Sequence, residues 1–317
     1  MIKKIVRNLK NPKQTVIKIF EDWMGREVPT AVTKMLHISG KDMRGMGYIK
    51  TYDGSGQACH PTIATFKGAE YLACTPYPYG KEYYENPCIY VRDSSHRKWK
   101  PIPTVFPIVR IKKMRFEHYS DPCLFCRNDK LALVFRKCER RTSGKIDQLY
   151  IATSENGTDW TKPVLLAEQA GDQLISPAAG IDGQELFCVE YDGGIDSRIV
   201  RYEFSHAALG EKHICGIKGL SSDFFVWHID VLRDLQGGLK GLFMLRRKDD
   251  AFGSKLALFA FSPEENVWSW DRDFPLSDEE QREIKTIYKS CFLPNEERIL
   301  CSARDIKDRW FLFEKDF

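Results

Sequence analysis

Five polar residues, each opening a short apolar run, are the first candidates for chemistry. They are His60 in His60-Pro61-Thr62-Ile63, Asp121 in Asp121-Pro122-Cys123-Leu124, Ser176 in Ser176-Pro177-Ala178-Ala179, His228 in Trp227-His228-Ile229-Asp230-Val231, and Lys289 in Lys289-Ser290-Cys291-Phe292. A second set closes the following apolar runs: Glu85, Arg136, Glu190, Arg246 and Arg304, the last four lying 15, 14, 18 and 15 residues after their openings. Carboxylates from separate segments can act as acid and base when folding opposes them. One is kept protonated to donate to a leaving oxygen, and the other stays ionised to activate water or attack. Asp121, Glu190 and Asp230 are the catalytic candidates, with Asp121 or Asp230 as base and Glu190 as acid. His60 and His228 can hold hydroxyls or move a proton, and Trp227 can offer a sugar ring its apolar face. Glu85, Arg136, Ser176, Arg246, Lys289 and Arg304 complete the expected substrate lining.

Each residue also has a plainer role. Asp121 before Pro122 fits a turn cap. His228 and Asp230, two apart in a strand, share a face and fit a structural pair. Glu190 fits a solvated strand end, with Asp192 then at the site. The arginines fit salt bridges to these acids as well as they fit a substrate.

The elements that must position these residues follow from their spacing. The five openings are 61, 55, 52 and 61 residues apart. A chain that restarts one polar-headed strand at such intervals predicts an all-β, five-bladed β-propeller whose innermost strands meet at one axis. Within each repeat, short strands alternate with turns such as Asn156-Gly157, and Trp99, Trp160 and Trp268 suit wedges between blades. The last repeat is one strand short. The strip Met46–Tyr52 is expected to supply its outer strand and close the ring, since an open edge invites aggregation. Residues 1–43 are read as a basic amphipathic helix (Lys13 to Trp23) and a linker, and residues 44–317 as the propeller.

Composition narrows the function classes. In 317 residues, 48 Lys and Arg stand against 44 Asp and Glu, so the net charge of +4 gives no case for nucleic acid. No apolar run reaches spanning length, which leaves at most a weak membrane-surface contact through the basic helix. Ten scattered cysteines suit buried thiols and a cytoplasmic location. Cys123 and Cys126 have zinc-ribbon spacing without a second pair, so neither a metal nor another cofactor is expected.

His60-Pro61-Thr62, Ser120-Asp121-Pro122, Ser176-Pro177 and Trp227-His228-Ile229-Asp230 resemble the blade openings of the five-bladed glycoside hydrolases: the arabinanase/xylosidase and levansucrase/invertase superfamily, with the related mannoside phosphorylases. Thr75-Pro76-Tyr77-Pro78 and Tyr84-Glu85-Asn86-Pro87 add to the likeness, which covers roughly residues 45–317. The resemblance implies an axial pocket with a first-blade carboxylate base, a second Asp that orients and tunes, and a Glu acid. The first-blade position that carries Asp in those families is Thr62 here, so its role would pass to Asp121, Asp230 or a histidine. The expected activity is hydrolysis of a glycosidic bond in an oligosaccharide or polysaccharide, on an acidic or phosphorylated glycan if the cations face it. A glycoside phosphorylase and a non-catalytic glycan-binding propeller are the alternatives.

Overall fold

The computed structural model describes residues 49, 51–93, 99–102, 116–141, 144–180, 183–205, 208–233, 237–250, 253–293 and 298–316. Among them, all regular structure except one six-residue helix and two single 3-10 turns is β-strand. The strands follow one another as antiparallel meanders. The first contains β1 (Ala58–Phe66), β2 (Ala69–Pro76), β3 (Cys88–Asp93) and β4 (Lys100–Ile102). The second contains β5 (Phe116–Arg127), β6 (Lys130–Arg141), β7 (Gly144–Ser154) and β8 (Val164–Ala170). The third contains β9 (Gln173–Ala179), β10 (Glu185–Tyr191), β11 (Ser197–Ser205) and β12 (Ala208–Lys218). The fourth contains β13 (Phe224–Arg233), β14 (Leu239–Arg247), β15 (Ser254–Ser262) and β16 (Val267–Phe274). The fifth has three strands, β17 (Ile284–Phe292), β18 (Arg298–Asp305) and β19 (Trp310–Asp316). Parallel pairing of β12 with β16 joins the outer edges of the third and fourth sheets.

Local chemistry sets the hairpins. Lys67-Gly68 and Asn128-Asp129 all take positive φ (48° and 77°, 49° and 56°), which two-residue turns between right-twisted strands require. The helix α1 (Asp278–Glu283) begins at a capping box formed by Ser277 and Glu280 and feeds directly into β17.

The core is divided into layers, each shared by two consecutive meanders. Leu72 and Tyr90 of the first pack against Cys291, Leu300 and Leu312 of the fifth, with Trp99 among them. Phe66 and Ile89 meet Leu133 and Phe135 of the second, with Trp160 at the margin. Val134 and Ile151 meet Leu186 and Val200 of the third. Phe187 and Ile199 meet Phe243, Phe259 and Trp268 of the fourth. Leu242 and Leu256 meet Ile287, Ile299 and Phe313 of the fifth. The tryptophans therefore wedge between sheets as their spacing suggested. The first strands touch in the cycle β1, β5, β9, β13, β17 and back to β1.

The basic helix and linker, and residues 46–48 and 50 of the proposed closing strand, lie outside the described residues. Ile49 is buried in the layer between the fifth and first sheets. Among the described residues, no helix is long and apolar enough to cross a membrane.

Candidate functional site

All five first strands break register at the opening residues. β1 shifts against β2 between Cys59 and Thr62, and β5 against β6 between Ser120 and Cys123. β9 shifts opposite the Phe187–Val189 stretch of β10, β13 between Val226 and His228, and β17 between Ile287 and Ser290. A bulge inserts an unpaired residue, bends the strand and re-aims a side chain. His60, Asp121 and Ser176, each before a proline, also adopt φ of 53°, 51° and 52°. For residues other than glycine this left-handed backbone costs about 1–2 kcal/mol each, and it persists only where surrounding packing imposes it.

The bulges bring the openings together. His60 Nε2 lies 3.4 Å from Asp121 Oδ1, and His228 Nδ1 lies 3.6 Å from the same oxygen. Arg136 Nε is 3.1 Å from Asp121 Oδ2, and its far nitrogen reaches Asp147 at 3.5 Å. His60 Nδ1 pairs with Thr75 Oγ1 at 2.9 Å. His60, Asp121 and His228 are all buried. Burial alone would raise the Asp121 carboxyl, but positive charge from the imidazoles of His60 and His228 when protonated, and from Arg136 and Lys289, holds it well below the usual carboxylate range. Burial lowers His60 to about 4 despite the opposing pull of Asp121, and pushes His228 well below the ordinary imidazole value. Together, His60, Asp121 and His228 offer three ligand atoms within 4.8 Å of one another, a donor set that a metal ion fits.

Beside this cluster sits Glu85, carried by the loop between β2 and β3. It is 3% exposed, and Oε2 makes no hydrogen bond, its nearest ionic neighbour being His118 Nε2 at 3.9 Å. Burial, then the charges of Asp121 and Glu82, push its carboxyl well above the usual range. Two neighbouring carboxyls are thus pushed in opposite directions, Asp121 towards its ionised form and Glu85 towards its protonated one.

Aromatic rings cover the imidazoles. Tyr288 stands 4.5 Å from the His228 ring and 5.2 Å from the His60 ring. Tyr77 lies 6.1 Å from His60, and Trp227 donates its Nε1–H to the Tyr288 hydroxyl at 2.9 Å. Tyr77, Trp227 and Tyr288 are each partly exposed, and Arg246 stacks 4.6 Å from the Trp227 ring.

No family model and no curated protein matches the chain, whereas solved structures do. An N-acetylgalactosamine deacetylase from F. plautii, solved with blood group B trisaccharide, aligns with TM-score 0.64 and 14% identity over 83% of this chain and 90% of its own. The GH43 endo-arabinanase of Bacillus licheniformis aligns with TM-score 0.57 and 12% identity over 82% and 93%. A GH43_1 enzyme from Xanthomonas citri complexed with xylose gives 0.59 and 14% over 91% and 93%. The chain has the family-43 glycoside hydrolase fold. The likeness expected from the strand openings is therefore real, and at these identities it is a likeness of fold.

Within this glycoside-hydrolase fold, the remaining candidates fall into different places. Lys289 is buried and donates to the Pro122 carbonyl at 3.0 Å. Asp230 accepts from the Phe292 N–H at 2.9 Å, and burial pushes it up to about 6 against the pull of that N–H and of Lys289. Ser176 shares the bulge geometry, but its hydroxyl is spent on the next meander, accepting from Ile229 N at 2.9 Å and donating to Ile229 O at 3.0 Å. Glu190 is held inside its own sheet, one oxygen paired with Lys212 of β12 and the other with Arg198 of β11. Despite burial, those cations hold it below the usual range. Arg304 pairs with Asp308 at 3.2 Å. Thr75 and His118 are neighbours of the site that the sequence reading passed over. Thr75 sits in the quoted Thr75-Pro76 step, and His118 lies three residues before Asp121.

Thr62 has an evident task. Its Oγ1 accepts from the Leu124 N–H of the second meander at 3.0 Å. Cys123 Sγ accepts from Ala179 N of the third at 3.3 Å, Asp230 from Phe292 N, and Cys291 from Ile63 N. In four first strands, the residue two beyond the opening therefore ties itself to the next first strand.

Proposed function

We propose that the five meanders are the blades of a closed propeller, with residues 46–52 completing the fifth, and that the axial site hydrolyses a glycosidic bond in an oligosaccharide or polysaccharide. The observation carrying this reading is the juxtaposition of two buried carboxyls, Glu85 and Asp121, whose surroundings favour opposite protonation. Environments that push two titratable groups apart assign acid and ionised partner. In this reading Glu85, rather than Glu190, donates the proton to the leaving oxygen. Asp121, kept charged by Arg136, faces the positive charge that develops on the sugar. Trp227, Tyr77 and Tyr288 offer ring faces for the sugar. The carbohydrate substrates named for the neighbouring structures support the substrate class. Ten cysteines, all unbridged, support a reducing cytoplasmic setting.

A second reading is favoured by the place of Asp121, whose Oδ2 is taken by Arg136 and whose Oδ1 is enclosed by the His60 and His228 imidazoles. With one carboxyl left to move protons, the site suits removal of an acyl substituent from a sugar, the activity named for the F. plautii neighbour.

A panel of neutral, acidic, phosphorylated and N-acetylated oligosaccharides, with and without inorganic phosphate, tests these readings. Reducing ends report hydrolysis, sugar phosphate reports phosphorolysis, and acetate reports deacylation. Glu85→Gln is expected to lower kcat by about 10²–10⁴-fold, while Glu190→Gln stays within about threefold of the parent, as loss of a largely structural ion pair implies. Full turnover by Glu85→Gln would overturn the acid assignment. Binding without any product would make the protein a glycan-binding module.

A further inference from the structure

The hydrogen-bond bookkeeping around His60, Asp121 and His228 leaves an excess of lone pairs. His60 Nδ1 pairs with the Thr75 hydroxyl at 2.9 Å, and that hydroxyl also lies 3.5 Å from the Cys59 carbonyl. With Thr75 accepting the Nδ1–H, His60 Nε2 is left as a bare acceptor. It points at Asp121 Oδ1, another acceptor, across 3.4 Å. His228 has no hydrogen-bond partner at either ring nitrogen, and Asp121 Oδ1 has none either, although all three residues are at least 97% buried. The 3.6 Å between His228 Nδ1 and Asp121 Oδ1 is beyond hydrogen-bond reach. Buried polar atoms are almost always satisfied, so converging orphans call for a partner that accepts electron pairs.

We propose that His60 Nε2, Asp121 Oδ1 and His228 Nδ1 bind one divalent transition-metal cation of the zinc type. Ligand atoms about 2.1 Å from a common centre at tetrahedral angles stand about 3.4 Å apart. The observed separations are 3.4 and 3.6 Å, with all three atoms inside 4.8 Å. Two imidazole nitrogens with one carboxylate oxygen select zinc, manganese or iron over calcium and magnesium, which take oxygen shells. The supporting contacts are those of a built site: Thr75 orients His60, while Arg136 occupies Asp121 Oδ2 and turns Oδ1 inward as a single-oxygen ligand. Three protein ligands leave a fourth position for water, the arrangement of catalytic rather than structural zinc. The inference depends on the proposed hydrolysis only for what a bound ion would do there: it would supply an activated water, and Asp121 would then hold the ion rather than face the sugar.

The test uses the full chain, stripped with a chelator and titrated calorimetrically with Zn²⁺, Mn²⁺ and Ca²⁺ in turn. One Zn²⁺ or Mn²⁺ per chain is expected, with Ca²⁺ at least about 100-fold weaker. Thr75→Val, which keeps both imidazoles but frees the His60 ring, is expected to weaken Zn²⁺ binding by about 10–100-fold. His60→Ala and His228→Ala should weaken it further, and circular dichroism shows which variants retain the fold. Glu190→Gln, whose carboxylate is paired inside its own sheet, should bind Zn²⁺ like the parent. Absence of stoichiometric binding, calcium binding as tight as zinc, or parental zinc affinity in folded His60→Ala and His228→Ala overturns the proposal. Zinc binding without turnover of any glycan would keep the metal site and remove the carbohydrate reading. Glycan turnover by the stripped protein would keep the carbohydrate reading and remove the ion from the reaction.

Discussion

Glu85 is the residue whose role has the sharpest consequence. Its carboxyl is buried, lacks a hydrogen bond at Oε2 and titrates well above its usual range. A raised folded-state pKa means that ionisation costs stability. The contribution is intact below the unfolded value near 4.5 and is lost as pH rises from there towards the folded value. Glu85→Gln removes that loss. We expect it to raise Tm by a few degrees at pH 7, with no gain near pH 4. Melting curves at the two pH values decide this, and an unchanged or lower Tm at pH 7 would contradict it. The openings were legible in the sequence because His60-Pro61, Asp121-Pro122 and Ser176-Pro177 mark positions with unusual backbone. For Glu190, counting 14 residues from Ser176 does not reveal which groups its side chain meets. The register places Glu190 opposite Arg198, and its carboxylate is spent there. Glu85 could be listed as lining, but its protonation depends on burial against Asp121, which no local pattern shows.

At the scale of elements, the recurring device is the side-chain hydrogen bond from one first strand to the backbone of the next. Thr62→Val keeps the shape but leaves the buried Leu124 N–H without an acceptor, and should cost about 1–3 kcal/mol. Thr62→Ser should recover most of it. Urea midpoints compare the three proteins, and equal midpoints would show that the bond adds nothing. The position read from resemblance as a missing carboxylate thus serves the backbone of the neighbouring sheet, as Asp230 does at the matching place. The outer strands were the poorly legible elements. β8 and β12 are mostly exposed or half-buried along their length, so they lack the apolar alternation that marked the inner three strands of each sheet.

For the whole molecule, the all-β architecture followed from the interval between openings, because each interval holds one sheet and each sheet needs a neighbour to cover its apolar face. Trp268 shows how much one wedge contributes. It is wholly buried between the third and fourth sheets, against Phe187, Phe243 and Phe261. Trp268→Ala should destabilise by about 3–5 kcal/mol, read as a fall in thermal midpoint, and a loss below about 1 kcal/mol would mean that the wedge is dispensable. A core parcelled into layers that each belong to two sheets has a consequence for how the protein comes apart. Deleting any one sheet strips two others of their cover, so truncated versions should be insoluble rather than smaller, and melting should proceed in a single cooperative step.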